Sequence, residues 1–291
     1  MRWDNQRQSD NVEDRRGSSL PRAAGGLSIG GLIMVGLVSW FLGVDPRVIL
    51  QGAEQLGLQG AQPQQQESRS GPITDPNDRV GRFVSSILAT TEDTWDQIFK
   101  EAGRTYTPPR LVLFSGRTLS ACGNAEAAMG PFYCPMDRKV YLDTVFFTEL
   151  SSRFHSPGEF AAAYVVGHEV GHHVQNLMGI LPRVQEAQRS MGQVQQNALQ
   201  VRVELQADCF AGVWAAKTNS RIAFLEDGDI DQALRAASAI GDDTLQRRSQ
   251  GTVVPESFTH GSSQQRMRWF MTGIRSNGRL EACNTFEARS L

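Results

Sequence analysis

The chain has 291 residues, 40% of them hydrophobic, with 29 Lys and Arg against 31 Asp and Glu for a formal net charge of −2. Without a basic excess a broad phosphate-neutralising nucleic-acid binder is disfavoured, and four Cys in a chain this long rule out a disulfide-dense mini-scaffold. One large folded domain or two modest ones remain, with segments outside them.

Residues 25–44 read GGLSIGGLIMVGLVSWFLGV, a stretch of twenty without a charge. At about 1.5 Å per residue it is long enough to cross a hydrocarbon core of roughly 30 Å. Arg15, Arg16 and Arg22 precede it. The positive-inside rule therefore predicts a cytoplasmic tail over 1–24, one transmembrane helix over 25–44, and everything later on the periplasmic or extracellular side. The alternative is a cleavable signal peptide, but the polar leader is long and no small-x-small site closely follows Val44. Residues 45–78 mix Gln with Gly, Ser and Pro. They bury too little apolar surface to offset their ordering entropy, so a flexible tether is expected.

The folded domain is then 79–291. Val80, Phe83, Val84, Ile87 and Leu88 recur at helical spacing and Trp95, Ile98 and Phe99 continue the pattern, until Thr107-Pro108-Pro109 stops it. Residues 110–114 (RLVLF) read as a strand, 120–135 as a loop carrying Cys122 and Cys134, and 139–144 (KVYLDT) as a second strand. Ser156-Pro157-Gly158-Glu159 has the form of a capping box with Pro at the first helical position, which predicts a helix over 157–178 stopped by Gly179. Another helix is expected over 195–217. Asp227 to Asp231 resembles the start of an EF-hand loop, but Gln232 and Ser238 occupy the positions that need Gly and Glu; Asp229 reads as a helix cap. Ser262 or Ser263 caps a last helix to about 276, ended by Asn277-Gly278. The expected class is α+β, mainly helical, with a small sheet.

The chemistry concentrates in His168-Glu169-Val170-Gly171-His172-His173. On a helix, His168 and His172 share a face with Cβ atoms about 5–6 Å apart, so both imidazoles can reach one Zn²⁺ at about 2.0–2.1 Å. Glu169 stands beside them, placed to hold a water and take its proton. His173 points away and is expected to be structural. A catalytic zinc needs a third protein ligand and one open position. The metzincin continuation is excluded, because Gln175 and Met178 stand where Gly and His would be required. Downstream, Glu204 and Asp208 again share a helical face amid apolar neighbours. Burying two carboxylates is costly without a cation or donors; Glu204 as ligand and Asp208 as acceptor for a ligand histidine's N–H would satisfy both. Glu186 is the rival ligand, in a polar connector after Pro182.

With the leader MRWDNQRQSDNVEDRRG, the apolar span, MGPFYCPMDRKVYLD, GHEVGHHVQ and VELQADCFAGVW, the chain resembles the YpfJ-like neutral zinc metallopeptidases over nearly its whole length. More distantly, HExxH followed by ExxAD resembles the gluzincin peptidases. The resemblance implies zinc, His168, His172 and Glu204 as ligands, and Glu169 as general base. Gluzincins of this kind also carry a Thr-His-Pro-Ser-x-x-x-Arg signature, and here Thr259-His260-Gly261-Ser262 runs on to Arg266 with Gly in place of Pro. His260 at the start of the last helix could then donate to a tetrahedral oxyanion; the plain alternative is a surface histidine in a cap.

No CxxC is present, so a zinc ribbon is out. In a domain outside the cytoplasm four Cys point to two disulfides. Of three connectivities the expected one is Cys122 with Cys134 and Cys209 with Cys283; buried free thiols are the cytosolic alternative. The expectation is a membrane-anchored zinc metallopeptidase with one Zn²⁺, a peptide or protein substrate, a membrane contact through 25–44 and no nucleic acid. A substrate strand could pair with the strand at 139–144. The competing class is a zinc-stabilised binding or adaptor protein without catalysis.

Overall fold

Residues 110–114 are buried at four of five positions, which is how an interior strand of a mainly parallel sheet reads, covered on both faces. In the computed structural model, which describes residues 1–17, 69–73, 75–126, 130–152 and 158–291, this run is β3 (Arg110–Phe114). It lies parallel to β1 (Val12–Asp14) on one side and to β7 (Lys139–Asp143) on the other. Antiparallel edge strands complete the sheet: β2 (Arg69–Ser70) on β1 and β6 (Phe132–Cys134) on β7. The order is β2-β1-β3-β7-β6. A separate hairpin joins β4 (Arg117–Ser120) to β5 (Gly123–Glu126). The loop expected over 120–135 therefore contains part of that hairpin and an edge strand. Strands of three or four residues lack enough alternation to stand out from a loop.

The helices are α1 (Arg79–Glu101), α2 (Val145–Ser152), α3 (Glu159–Leu177), α4 (Ile180–Gln188), α5 (Gln193–Ile222), α6 (Asp229–Ala239), α7 (Asp242–Gln250) and α8 (Ser263–Arg275). Asp78 starts α1 by accepting the Gly81 amide, and Ser262 with Gln265 forms the capping box of α8. Asn277 and Gly278 follow α8 at positive φ, as expected of its stop. Among the largest fully buried side chains, Trp95, Trp214, Phe160, Phe210 and Phe270 come from α1, α3, α5 and α8. Each such burial contributes roughly 1.5–3 kcal/mol.

Two glycines let backbones meet where the functional side chains are. A Cβ on Gly171 of α3 would stand 3.0 Å from the Ala207 carbonyl oxygen of α5. A Cβ on Gly273 of α8 would stand 1.9 Å from the Cys209 carbonyl oxygen. Both expected disulfides are present: Cys122–Cys134 ties the hairpin to β6, and Cys209–Cys283 ties α5 to the C-terminal turn. None of the cysteines is free.

Several expectations change. Helix α3 starts at Glu159, not 157; its N-cap is Gly158 without a side-chain bond, and Glu159 instead accepts the Trp3 indole N–H. Ser156 and Pro157 lie outside the described residues. The N-cap of α6 is Gly228 rather than Asp229, whose carboxylate accepts the Glu226 amide. Residues 69–73 and 75–78, placed in the expected tether, lie with the fold, since β2 pairs with β1 and Asp78 caps α1. The expected separate tail is also corrected: Met1–Gly17 clusters with Ser68–Leu291 in one compact unit. Among the described residues no helix is long and apolar enough to cross a membrane; the span expected over 25–44 lies outside them.

Because the Gly273 Cβ would meet backbone, which cannot rotate away, Gly273→Ala should destabilise the domain by about 1–3 kcal/mol, the range for overpacking. Urea denaturation monitored by tryptophan fluorescence measures it, and an unchanged midpoint would refute the close approach.

Candidate metal centre

Helix α3 presents His168, Glu169 and His172, and α5 presents Glu204 and Asp208 where Gly171 lets the two helices close. One ligand atom each from His168, His172 and Glu204 falls within 4.8 Å of the others. The two Nε2 atoms are 3.1 Å apart, and they stand 3.2 and 3.5 Å from Glu204 Oε2.

The far sides of both rings are spoken for. His168 Nδ1 donates to Asp208 Oδ1 at 2.8 Å, and His172 Nδ1 donates to Gln175 Oε1 at 2.9 Å. Gln175 cannot turn, because its own amide donates to the Val203 carbonyl and to Gln206 Oε1. Gln206 in turn donates to the Cys283 carbonyl beside the C-terminal disulfide. Each ring is thus held with Nε2 toward the other and toward a carboxylate, an arrangement of three electron-rich atoms that calls for positive charge. Gln200 completes it by donating to the second oxygen of Glu204 at 3.0 Å. Two imidazoles and a carboxylate that leave one position open are the donor set of a catalytic zinc, so these residues fit the metal.

The electrostatics agree. Burial works to lower the His168 pKa, but the charge and hydrogen bond of Asp208, then Glu204, lift it to about 10. Burial works to raise Glu204, yet His172 and His168 hold it well below the ordinary carboxylate range. A proton can satisfy two of these donors; a divalent cation satisfies all three. Asp208 is fully buried and saturated: Tyr164 donates to it at 2.6 Å, and Arg266 donates from Nε and Nη2, both at 2.9 Å. Burial would raise Asp208, but Arg266 and then His168 bring it down to about 2.

Glu169 is buried beside the pair, and burial raises its pKa. Among the described residues no side chain bonds its carboxylate, which faces a cavity of about 880 Å³ shared with His168, His172, Glu204, His260 and Arg266. His260 reaches this cavity from the loop before α8 and is held from behind by Asp242. One Asp242 oxygen accepts the backbone amides of Thr259, His260 and Gly261 at 2.8, 2.6 and 3.0 Å; the other lies 3.2 Å from His260 Nδ1. That bond to Asp242 raises the His260 pKa against partial burial.

The structure therefore gathers His168, Glu169, His172, Glu204, Asp208 and His260 in one place. His173 stays apart: fully buried, it donates to the Thr107 carbonyl at 2.7 Å and accepts from Tyr133, and burial takes its pKa down to about 4. Glu186 is exposed and pairs with Arg189, away from the ligand cluster. The strand expected to take substrate is not an edge, for β7 lies between β3 and β6; it is β6, with Phe132 and Tyr133, that lines the cavity. Sequence reasoning passed over Tyr164, Gln175, Gln200 and Asp242. Tyr164 was accessible from its position one turn before His168 on the same face; Asp242 had no local signal.

A helix-borne pair of histidines, a glutamate within reach of both on a second helix and a buried glutamate opening on a cavity form a group that could hold a metal ion, as the zinc metallopeptidase class requires. Residues 1–286 match the family described as "Putative neutral zinc metallopeptidase", and the chain belongs to it. It is similar to YpfJ of Escherichia coli strain K12, a protein described as uncharacterised, with 48% identity over 98% of this chain and 99% of that one. It is 41% identical over 84% of its length to Rv2575 of Mycobacterium tuberculosis strain H37Rv, covering 86% of that protein. No solved structure matches the chain.

Because Asp208 and Gln175 set the ligand rings, Asp208→Asn and Gln175→Ala should each weaken zinc binding by about 10–100-fold. Competition with a chromophoric chelator measures this, and wild-type affinity in both would mean that the rings orient themselves.

Proposed function

We propose that the protein hydrolyses peptide bonds with His168, His172 and Glu204 holding one zinc ion and Glu169 acting as general base. The observation that carries this reading is Glu169 itself, a buried carboxylate with a raised pKa and no protein partner among the described residues, at the mouth of the ligand cluster. When bound, zinc supplies Lewis acidity, bringing a water's pKa to about 7 and polarising a carbonyl. Glu169 accepts the proton of the attacking water and returns it to the leaving amine. His260, hydrogen-bonded to Asp242 through its other ring nitrogen, donates to the oxygen that gains charge as the carbonyl becomes tetrahedral. Arg266 and Asp208 stay out of the reaction and hold the His168 ring still.

Phe146, Val165, Leu181 and Val184 give the cavity apolar walls, and among the described residues β6 has no strand on its outer edge beside it. A peptide extended along β6 would pair by β-augmentation, its alternate side chains entering the apolar cavity. A membrane contact through 25–44 is retained in this reading on the apolar run alone. The rival reading, an adaptor with structural zinc, leaves a buried and unpaired Glu169 without a purpose, since structural sites close their fourth position with a ligand.

Three outcomes test the assignment. Glu169→Gln should keep one zinc per chain yet lose hydrolysis of a peptide library, whereas Glu204→Ala should lose the metal; full zinc in Glu204→Ala would remove it from the ligand set. His260→Ala should lower kcat by about 10²–10³-fold with zinc retained, the scale for one oxyanion donor. The raised His260 pKa places the loss of its proton above about 6.5. Activity that depends on the charged ring should fall as pH climbs through this raised pKa, and Asp242→Asn should move the alkaline limb to lower pH. An alkaline limb unmoved in Asp242→Asn would separate the pair from catalysis.

A further inference from the structure

The expected topology places residues 1–24 and the catalytic domain on opposite sides of a membrane, yet Met1–Gly17 is built into that domain. Strand β1 is interior to the sheet: Val12, Glu13 and Asp14 pair with Leu111, Val112 and Leu113 of β3, and Glu13 and Asp14 pair with Ser70 and Arg69 of β2. Trp3 is 1% exposed and packs edge-on to Phe83 of α1. Its indole N–H donates to Glu159, the first residue of the helix that carries the zinc histidines. Arg7 pairs with Glu92 and Asp93 of α1, and buried Glu13 pairs with Lys139 of β7. Drawing this segment across a bilayer would expose Trp3 and Val12 and strip the β3 backbone of its partner strand.

We propose that residues 1–17 and the metallopeptidase domain lie in the same compartment, the chain between β1 and β2 leaving the sheet and returning to it on one side of the membrane. The register carries the argument, since Asp14 and Arg69 are paired neighbours although 54 positions separate them in sequence. A single crossing by 25–44 cannot join two points of one sheet. Two helical crossings would need about 40 apolar residues, whereas the chain from 18 to 67 holds one long uncharged run, from 23 to 44, and carries Asp45, Arg47, Glu54 and Glu67 after it. A cleaved leader fits no better, because it would take β1 and Trp3 with it. Disulfides ordinarily persist in oxidising compartments, so the two bonds of the domain assign that environment to Met1–Gly17 as well.

The test uses the full chain in sealed, right-side-out membrane vesicles. The native cysteines are all paired, so a single thiol added at exposed Asn5 (Asn5→Cys) or exposed Gln193 (Gln193→Cys) can be read with a membrane-impermeant maleimide. Zinc content serves as the folding control. Equal labelling of both variants, or equal protection released by detergent, is the expected result; labelling of one with protection of the other overturns the proposal. Should either thiol variant fold poorly, a protease site inserted among Gln64, Gln65 and Gln66 gives a second reading. After cleavage in mild detergent the N-terminal fragment should co-elute with the domain and be released by Trp3→Ala. A fragment that leaves the unsubstituted domain on its own would equally refute the shared sheet.

Discussion

The buried carboxylate of Asp208 is the interaction on which the centre depends. It sits at full burial, where an unpaired charge would be intolerable, and four donors converge on it: one from Tyr164, one from His168 and two from Arg266. Those donors come from α3 and α8 while the acceptor belongs to α5. One charge therefore pins three helices and fixes which nitrogen of His168 faces His172 and Glu204. Removing one partner of such a pair typically costs about 3–5 kcal/mol, because the other is left charged and dry. Arg266 is itself nearly fully buried, so the same penalty protects the arrangement from either side.

Close helix contacts make this geometry reachable. At Gly171 and Gly273 the absence of a Cβ lets α3 and α8 press against the backbone of α5. The carboxylates of α5 thereby come within direct reach of the histidines and of Arg266, with no water between. A second support runs the other way, from Cys283 through Gln206 and Gln175 to His172. Each histidine of the pair is thus aimed from behind by a different part of the chain. Oriented rings of this kind lose little entropy when metal binds, and little reorganisation is left for the reaction itself.

The His260 side of the cavity is less rigidly framed. His260 stands in a loop, half exposed, and is aimed by Asp242 through three backbone amides and the ring nitrogen. A loop held by one carboxylate keeps its direction with few other restraints. Opposite ends of the chain share the framing work: Trp3 braces the first turn of α3 and the Cys209–Cys283 disulfide braces α5.

The ligand pair and its base were legible in the sequence because HExxH needs only helical periodicity: positions four apart on a helix share a face wherever the helix lies. Glu204 and Asp208 were legible for the same reason, and a serine cap at 262 or 263 marked the start of α8. The two disulfide pairs followed from loop closure and from the need to hold the C-terminus. What periodicity cannot reveal is which face of one helix meets which face of another. Tyr164, Gln175, Gln200 and Asp242 gained their roles only when α3, α5 and the loop before α8 came together. The three-residue strand β1 was beyond reach from sequence too. Three residues carry almost no pattern, and their membership in the sheet is decided by β3, nearly a hundred positions away. Local spacing determined the chemistry, and long-range packing decided what aims it and where the N-terminus belongs.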